Sequence, residues 1–338
     1  MSMKRQLDFD VLRIWACLMI VAMHSPLPAS QTEGMFLSSL SYLTAPGIGL
    51  FFMVSGALLL PVKQRTGAFL KRRFMKIAIP TLVWTLFYLC CNAWLNNEPL
   101  TGHAFLSIPF SPQGNPVFWF IYTLLGLYLL APIVSHWLTS ASKREVGFYL
   151  CLWVVCLCYP LISFMADVNT SNTGILYYFS GYGGYFLLGY YLKSYPDSLS
   201  FKWLLPAMGF TIAIPVICKL QTIKVDFYSL FWYTSVFVAI QCIFWWRMIH
   251  WFAGRWESGS HPFLAEMSKL TFGIYLIHIF IMRYLLWKWD FILGIQPYWL
   301  QTVTIIILTF GGSLVVTYLI SLFPFAKYLT GYQCSRSY

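Results

Sequence analysis

Two ionisable side chains lie within one apolar stretch near the start of the chain, residues 10–25 (DVLRIWACLMIVAMHS). Arg13 and His24 are eleven positions apart. An α-helix would separate them by roughly 20° around its axis and by roughly 16 Å along it. Charged residues inside a membrane helix are costly, so the pair indicates a functional site, in which a long substrate would lie along the helix. The alternative is that Arg13 extends to the lipid headgroups and His24 lies in the opposite interface.

A second group of cations lies in residues 63–80 (KQRTGAFLKRRFMKIAIP). Arg72, Arg73 and Lys76 stand just before the predicted third helix, and the spacing of the last two would place them on one helix face, where they could clamp a phosphate-bearing group. Arginine offers phosphate two parallel hydrogen bonds, and lysine offers a point charge. Alternatively, this basic loop only sets the membrane topology and contacts anionic lipid.

His278 lies near the middle of a later apolar helix. A neutral imidazole bonded to a neighbouring helix explains it most simply, and a second functional imidazole is the alternative. Arg283, about 140° further around a regular helix, is predicted to lie off the face of His278. Asp10 and Ser55 are candidates for lining the same cavity, although Ser55 is small enough to serve only in helix packing.

The composition places these residues in a membrane protein. Hydrophobic residues make up 59% of the 338 positions and charged residues 10%, whereas soluble domains carry about 25% charged residues. The net charge of +11 is therefore interpreted as a topology signal and not as a nucleic-acid-binding surface. The nine cysteines include no Cys-x-x-Cys pair, and we interpret them as small buried apolar residues, with no metal site and no disulfide framework.

Apolar periodicity and length predict an all-α fold, a single integral membrane domain over residues 1–338 with about ten transmembrane helices. Four helix-breaking residues, Pro46, Gly47, Gly49 and Gly56, predict that the second helix is interrupted along a cavity wall. The predicted spans are residues 9–29, 36–60, 77–96, 116–138, 145–166, 174–193, 202–219, 227–249, 268–288 and 297–322.

The distribution of basic residues orients these spans. Of the 22 lysines and arginines, all but five fall on the side that holds both termini. Because basic residues concentrate in cytoplasmic loops, both termini are predicted to be cytoplasmic. The five exceptions are Arg13, Lys219, Lys224, Arg283 and Lys288.

Four stretches together resemble the acyltransferase-3 family of integral membrane O-acyltransferases, which typically modify bacterial surface sugars. They are Arg13-x10-His24, LFFMVSGALL around Ser55, FLKRRFMKIAIP and LTFGIYLIH, and the resemblance spans residues 7 to about 322. The compact type, similar to the enterobacterial-common-antigen acetyltransferase, is the nearest in form. Two departures stand out: the second basic position is Lys76 where the family has arginine, and no acid precedes LFFMVSG. An acid from elsewhere, such as Asp10, Glu33 or Glu98, is then needed to orient the imidazole.

The resemblance implies a multi-pass acetyltransferase of the bacterial cytoplasmic membrane, with acetyl-CoA as donor and a sugar or polysaccharide hydroxyl as acceptor. No permanently bound cofactor and no nucleic-acid partner are expected. Arg13, Arg72, Arg73 and Lys76 would hold the CoA phosphates, and His24 would act as the base or become acylated itself.

Two other classes of function fit parts of the pattern. A transporter or flippase for an anionic or lipid-linked substrate would also use intramembrane Arg13 and His24 beside an interrupted helix. Such a protein leaves the mass of its substrate unchanged. A membrane sensor or assembly factor is the third class, and for it both residues should be dispensable.

Overall fold

Helices account for the regular structure in the computed structural model, which describes residues 7–28, 40–167, 174–196, 201–221, 223, 230–256 and 261–334. Over these residues the helices are α1 Leu7–His24, α2 Pro46–Leu59, α3 Thr66–Leu95, α4 Gly102–Ser107, α5 Trp119–Leu138, α6 Lys143–Leu157, α7 Tyr159–Ala166, α8 Gly183–Ser194, α9 Phe201–Leu220, α10 Val236–Ala253, α11 Pro262–Ile279, α12 Asp290–Leu293, α13 Tyr298–Ser321 and α14 Ala326–Thr330. A π-helical segment, Phe280–Leu285, continues α11. The all-α prediction is confirmed for the described part of the chain.

Polar residues at the helix starts explain several of these boundaries. The Ser142 hydroxyl accepts a hydrogen bond from the backbone N–H of Glu145 at the start of α6, and Ser235 does the same for Val238 at the start of α10. Such N-caps satisfy backbone donors that would otherwise be left without a partner. Before α5, the side chain of Asn115 accepts from the backbone N–H of Val117.

Six helical segments of the described residues are long and apolar enough to cross a membrane, and a seventh results if α6 and α7, bent by 41°, form one span. The protein is therefore a multi-pass membrane protein. About ten spans and cytoplasmic termini stay predictions. Helix α1 is not among the six segments, because it carries three charged residues, Asp8, Asp10 and Arg13. Helix α8, at 12 residues, is only about 18 Å long, shorter than the hydrocarbon core.

The structure corrects two predictions for the region around the candidate cations. Helix α3 begins at Thr66 rather than at residue 77, so Arg72, Arg73 and Lys76 belong to the helix and not to a preceding loop. The second predicted helix is broken at Ala45, which separates helical residues 40–44 from α2, and the glycines do not break it further. From Pro46 to Leu59 the helix runs unbroken, because proline fits the first turn of a helix, where its missing N–H costs nothing.

The glycines of α2 serve close helix packing instead of a cavity wall. A Cβ on Gly56 would lie 1.8 Å from the carbonyl oxygen of Phe186, and one on Gly189 would lie 1.9 Å from that of Met53. The backbones of α2 and α8 therefore touch directly, which only glycine permits at these two positions. Gly47 lies in the same way against Ala16 of α1.

Helix α1 lies at the centre of the fold. It packs against α2 on one side and α11 on another, and it also contacts α10 and α13. Ten of its 18 residues are buried, among them Leu12, Ala16 and Ile20. This central position places both ends of α1 against neighbouring helices, and those ends carry Arg13 and His24.

Candidate active site

The predicted cations come together at one end of α1 and α3. Lys76 interacts electrostatically with Arg13, Arg72 and Arg73, so four positive charges share one location. Arg72 and Lys76 are exposed, and Arg73 is half-buried. The Nε atom of Arg73 is buried, and among the described residues it has no hydrogen-bond partner. Like charges repel, so this arrangement is most stable when an anion binds between them.

Aromatic rings and a hydroxyl group pack around Arg73 in this cationic cluster (Arg13, Arg72, Arg73 and Lys76). The Arg73 guanidinium lies 5.8 Å from the ring centre of Phe69 and 6.0 Å from that of Tyr128. Tyr128, on α5, is buried and hydrogen-bonds to Ser55 of α2. Ser55 therefore supports the cationic cluster through Tyr128, and this polar contact is more than the packing role that its size suggests.

Asp10 belongs to this end of the molecule as well. It is 3% exposed and lies 3.9 Å from Arg13, one helical turn away. Asp10 and His24 are fourteen positions apart in one unbroken helix, which corresponds to about 21 Å. The prediction that Asp10 orients the imidazole is therefore wrong, and the carboxylate instead offsets part of the charge of Arg13.

Two imidazoles meet at the other end of α1. The ring centres of His24 and His278 are 5.4 Å apart. His278 is fully buried, whereas His24 retains some exposure. The structure places His278 next to His24, as the possibility of a second functional imidazole requires. Nδ1 of His278 bonds within its own helix and not to a neighbouring one.

Backbone carbonyls fix the tautomer of both rings. Nδ1 of His24 lies 2.9 Å from the carbonyl oxygen of Ile20, and Nδ1 of His278 lies 2.7 Å from that of Tyr275. A carbonyl can only accept, so each Nδ1 carries a proton, and in the neutral form of each ring Nε2 presents the lone pair. Nε2 of His278 is buried and has no hydrogen-bond partner among the described residues. Both rings are thus arranged as bases, without an acid behind them.

The other two acids considered for orienting the imidazole differ in outcome. Glu33 lies outside the described residues. Glu98 is exposed at the far end of α3 and interacts electrostatically with Tyr284. Within the described part of the chain, no ion pair joins an acid to either His24 or His278.

Arg283 belongs to the candidate site, although regular α-helical periodicity predicts that it lies off the face of His278. Its guanidinium interacts electrostatically with both His24 and His278. The helix is π-helical from Phe280 to Leu285, and a π-helical turn takes up more residues than an α-helical one. Arg283 therefore returns towards the face of His278, five positions before it. The prediction that it lies off that face is wrong because it assumes an unbroken α-helix.

The hydroxyl of Tyr88, on α3, produces this change in the helix. It donates to the carbonyl oxygen of Leu276 and accepts from the backbone N–H of Phe280, each at 3.0 Å. Those two backbone groups would bond to each other in an α-helix. A side chain inserted between them breaks that hydrogen bond and is a recognised cause of local distortion. Tyr88 is thus a positioning residue for Arg283.

A family model described as an acyltransferase domain matches residues 6–318. The chain belongs to the acyltransferase-3 family. No curated protein and no solved structure matches it. With its apolar helices, the protein is a membrane acyltransferase, and the transporter and sensor interpretations give way to acyl transfer.

The acyltransferase also contains an apolar groove that none of the predicted site residues lines. Its volume is about 400 Å³, and Leu127, Trp137, Trp153 and Phe179 are among the residues that line it.

All nine cysteines are free thiols, and Cys90 and Cys151 are exposed, contrary to the expectation that all are buried. Within the described residues, no group of His, Cys, Asp or Glu side chains forms a metal-binding cluster.

Proposed function

We propose that the acyltransferase moves an acyl group, preferentially acetyl, from acyl-CoA to a hydroxyl of a cell-surface sugar in the cytoplasmic membrane of a bacterium. The observation that carries the proposal is the arrangement along α1. Four cations surround one end and two imidazoles meet at the other. The separation of roughly 16 Å is comparable to the length of an extended pantetheine arm.

The donor would bind with its phosphates in the cationic cluster. CoA carries several phosphate charges, and arginine and lysine side chains that repel one another recover that energy when a multiply charged anion lies between them. The exposed Arg72 and Lys76 provide access, and half-buried Arg73 provides the less hydrated contact. The thioester would then extend along α1 towards His24.

The chemical step uses the unprotonated Nε2 of His24. The acceptor hydroxyl oxygen attacks the thioester carbonyl carbon while Nε2 takes the hydroxyl proton. The carbon–sulfur bond then breaks, the CoA thiolate leaves and takes that proton from the imidazolium, and the products are a sugar ester and CoA thiol. Arg283, beside both rings, would stabilise the negative charge that develops on the carbonyl oxygen.

A covalent route uses the same atoms in a different order. Nε2 of His24 would attack the thioester first and release CoA, and the acceptor hydroxyl would then attack the acyl-imidazole. His278, with its own Nε2 lone pair 5.4 Å away between ring centres, could take the hydroxyl proton in that second step. Rapid quenching of the purified enzyme with acyl-CoA alone separates the routes, because only the covalent one adds an acyl mass to the protein.

The decisive experiment is mass spectrometry of surface glycans from a deletion strain complemented with wild type or with His24→Ala. We expect an acyl-sized mass with wild type and a loss of about 100-fold or more with His24→Ala, because general bases contribute about 10²–10⁴-fold. His136→Ala is the matched control, since His136 is an exposed imidazole on α5. Membrane levels of all three proteins are compared by immunoblot.

Two results would contradict the proposal. Equal acylation by wild type and His24→Ala would make His24 structural. Glycans that have the same mass with wild type as in the deletion strain would exclude a surface sugar as the acceptor. The mass added by wild type also identifies the acyl group.

A further inference from the structure

A polar cavity of about 290 Å³ lies at the opposite end of α3 from the cationic cluster. It is lined by Tyr88, Asn92 and Asn96 of α3 and its C-terminal end, and by Asn115, Arg283 and Tyr284 from other segments. Asn92 is sixteen positions beyond Lys76 in one continuous helix, a distance of about 24 Å. The cavity and the cationic cluster therefore open towards opposite faces of the molecule.

The inner end of this cavity, here called the polar cavity, is linked to the imidazole pair through Arg283. Arg283 lines it and also interacts electrostatically with His24 and His278, which do not line it themselves. Ile279, the residue directly after His278, lines it as well. A molecule in the polar cavity can thus contact Arg283, on the side away from the donor.

Two hydrogen-bond donors in the cavity wall have no partner among the described residues. They are Nδ2 of Asn115, whose residue is 1% exposed, and Nε of Arg283. Leaving a buried donor without a partner costs about 1–3 kcal/mol. The oxygen of Asn115 is already used, since it accepts from the backbone N–H of Val117. The wall therefore calls for a ligand that is rich in acceptor oxygens.

Tyrosine side chains supply another part of the wall. The hydroxyl of Tyr88 bonds to the backbone at the end of α11, and the hydroxyl of Tyr284 hydrogen-bonds to Asn92. Tyr88 is fully buried against other aromatic rings, whereas Tyr284, which stacks on Phe280, keeps part of its surface exposed. The ring of Tyr284 combined with amide groups suits a sugar ring, which has apolar C–H faces and hydroxyl edges.

The cavity wall carries charges of both signs. Glu98 and Lys288 both line it and are both exposed, and Arg283 lies at its inner end. This differs from the cationic cluster, where the four candidate residues have one sign. The wall also offers amide groups, so acceptor oxygens of a sugar can be recognised there without phosphate.

We propose that the polar cavity binds the acceptor, a saccharide, and delivers one of its hydroxyls to the His24–His278 pair. This inference rests on the proposed function, and it adds the location and the recognition chemistry of the acceptor. Asn115 and Arg283 donate to sugar oxygens at the inner end. Donor and acceptor thus approach the imidazoles from opposite ends of α3.

The test fills the polar cavity without touching the donor end. Asn96→Trp places an indole in its wall, and Leu95→Trp introduces the same side chain one position earlier, where the wild-type residue is 38% exposed and does not line the cavity. Two quantities are measured for each: the acylated fraction of surface glycans in the complemented deletion strain, and the Kd of CoA for the detergent-purified protein.

We expect Asn96→Trp to lower glycan acylation by about tenfold or more, because the occupied volume is lost to the acceptor. Its Kd for CoA should stay within about twofold of wild type, which also shows that the variant is folded. Leu95→Trp should match wild type in both measurements.

Wild-type acylation by Asn96→Trp overturns the inference, because the filled cavity would then be irrelevant to the acceptor. A parallel loss of CoA binding by Asn96→Trp, with Leu95→Trp normal, also overturns it, because the cavity would then serve the donor. Absence of glycan acylation or of CoA binding in wild type is a failure of the proposed function itself, and it is recognised without either variant.

Discussion

The two ends of α3 present opposite kinds of surface. The Thr66 end gathers Arg72, Arg73 and Lys76 around Arg13, and only Asp10 is paired with this group in an ion pair of the described residues. The Leu95 end combines amides, tyrosine rings and charges of both signs around the polar cavity. A surface of one sign selects a multiply charged anion, and a mixed surface of amides, a tyrosine ring and charges of both signs selects a hydroxylated ligand.

This difference teaches that one helix can serve both substrates of a transfer reaction. A rigid helix fixes the distance between two sites, and Tyr88, between them, acts on the helix that carries His278 and Arg283. Binding of the donor and binding of the acceptor would then respond to different variants and to different salt conditions.

Arg73→Ala should affect the donor alone. Charge-assisted hydrogen bonds contribute about 1.5–3 kcal/mol, so we expect the KM for acyl-CoA to rise by roughly 10–100-fold. Arg73→Lys should recover part of this loss, since it keeps the charge and loses the bidentate geometry. Steady-state kinetics with varied acyl-CoA and a fixed acceptor provides the measurement. An unchanged donor KM would remove Arg73 from the donor site.

Tyr88→Phe should lower kcat by about tenfold and raise the acceptor KM, while changing the donor KM little. Without its hydroxyl, Leu276 and Phe280 can re-form the α-helical hydrogen bond, and Arg283 would turn away from the imidazoles. Tyr42→Phe is the matched control, because the buried Tyr42 hydroxyl also donates to a backbone carbonyl, that of Thr211, at 2.6 Å. If both variants lose kcat equally, the π-helical segment has no special role.

Lys288→Ala should affect the acceptor alone. The side chain is exposed at the mouth of the polar cavity, so water screens its contribution and we expect the acceptor KM to rise by about two- to fivefold. The donor KM should not change. Titration of deacylated glycans at saturating acyl-CoA measures the effect, and a rise in donor KM would break the distinction between the two ends.

Asp10→Asn should have the smallest effect. The substitution removes the carboxylate near Arg13 and leaves the cationic cluster more positive, so the affinity for CoA should increase by about two- to threefold at low salt. Transfer should persist, because Asp10 is about 21 Å from His24. Loss of transfer with normal CoA binding would instead restore a role for Asp10 at the imidazole.

Local sequence patterns predicted the fold class of this protein and many of its candidate site residues. Hydrophobic runs predicted an all-helical membrane fold, and the spacing of Arg13 and His24 placed both on one helix, α1. The same patterns failed at boundaries. They started α3 eleven residues too late, and they placed breaks at the glycines of α2, which instead serve close helix packing.

Tertiary structure alone decided how the candidate residues meet. No local pattern shows that His278 faces His24, since they belong to helices far apart in sequence. Arg283 reaches the imidazoles because Tyr88, 192 positions before Phe280, inserts its hydroxyl into the backbone hydrogen bonds of α11. Helical periodicity describes a segment by itself, and it cannot include a hydrogen bond that arrives from another helix. The sequence therefore determined which residues could do the chemistry, and packing decided which of them share a site.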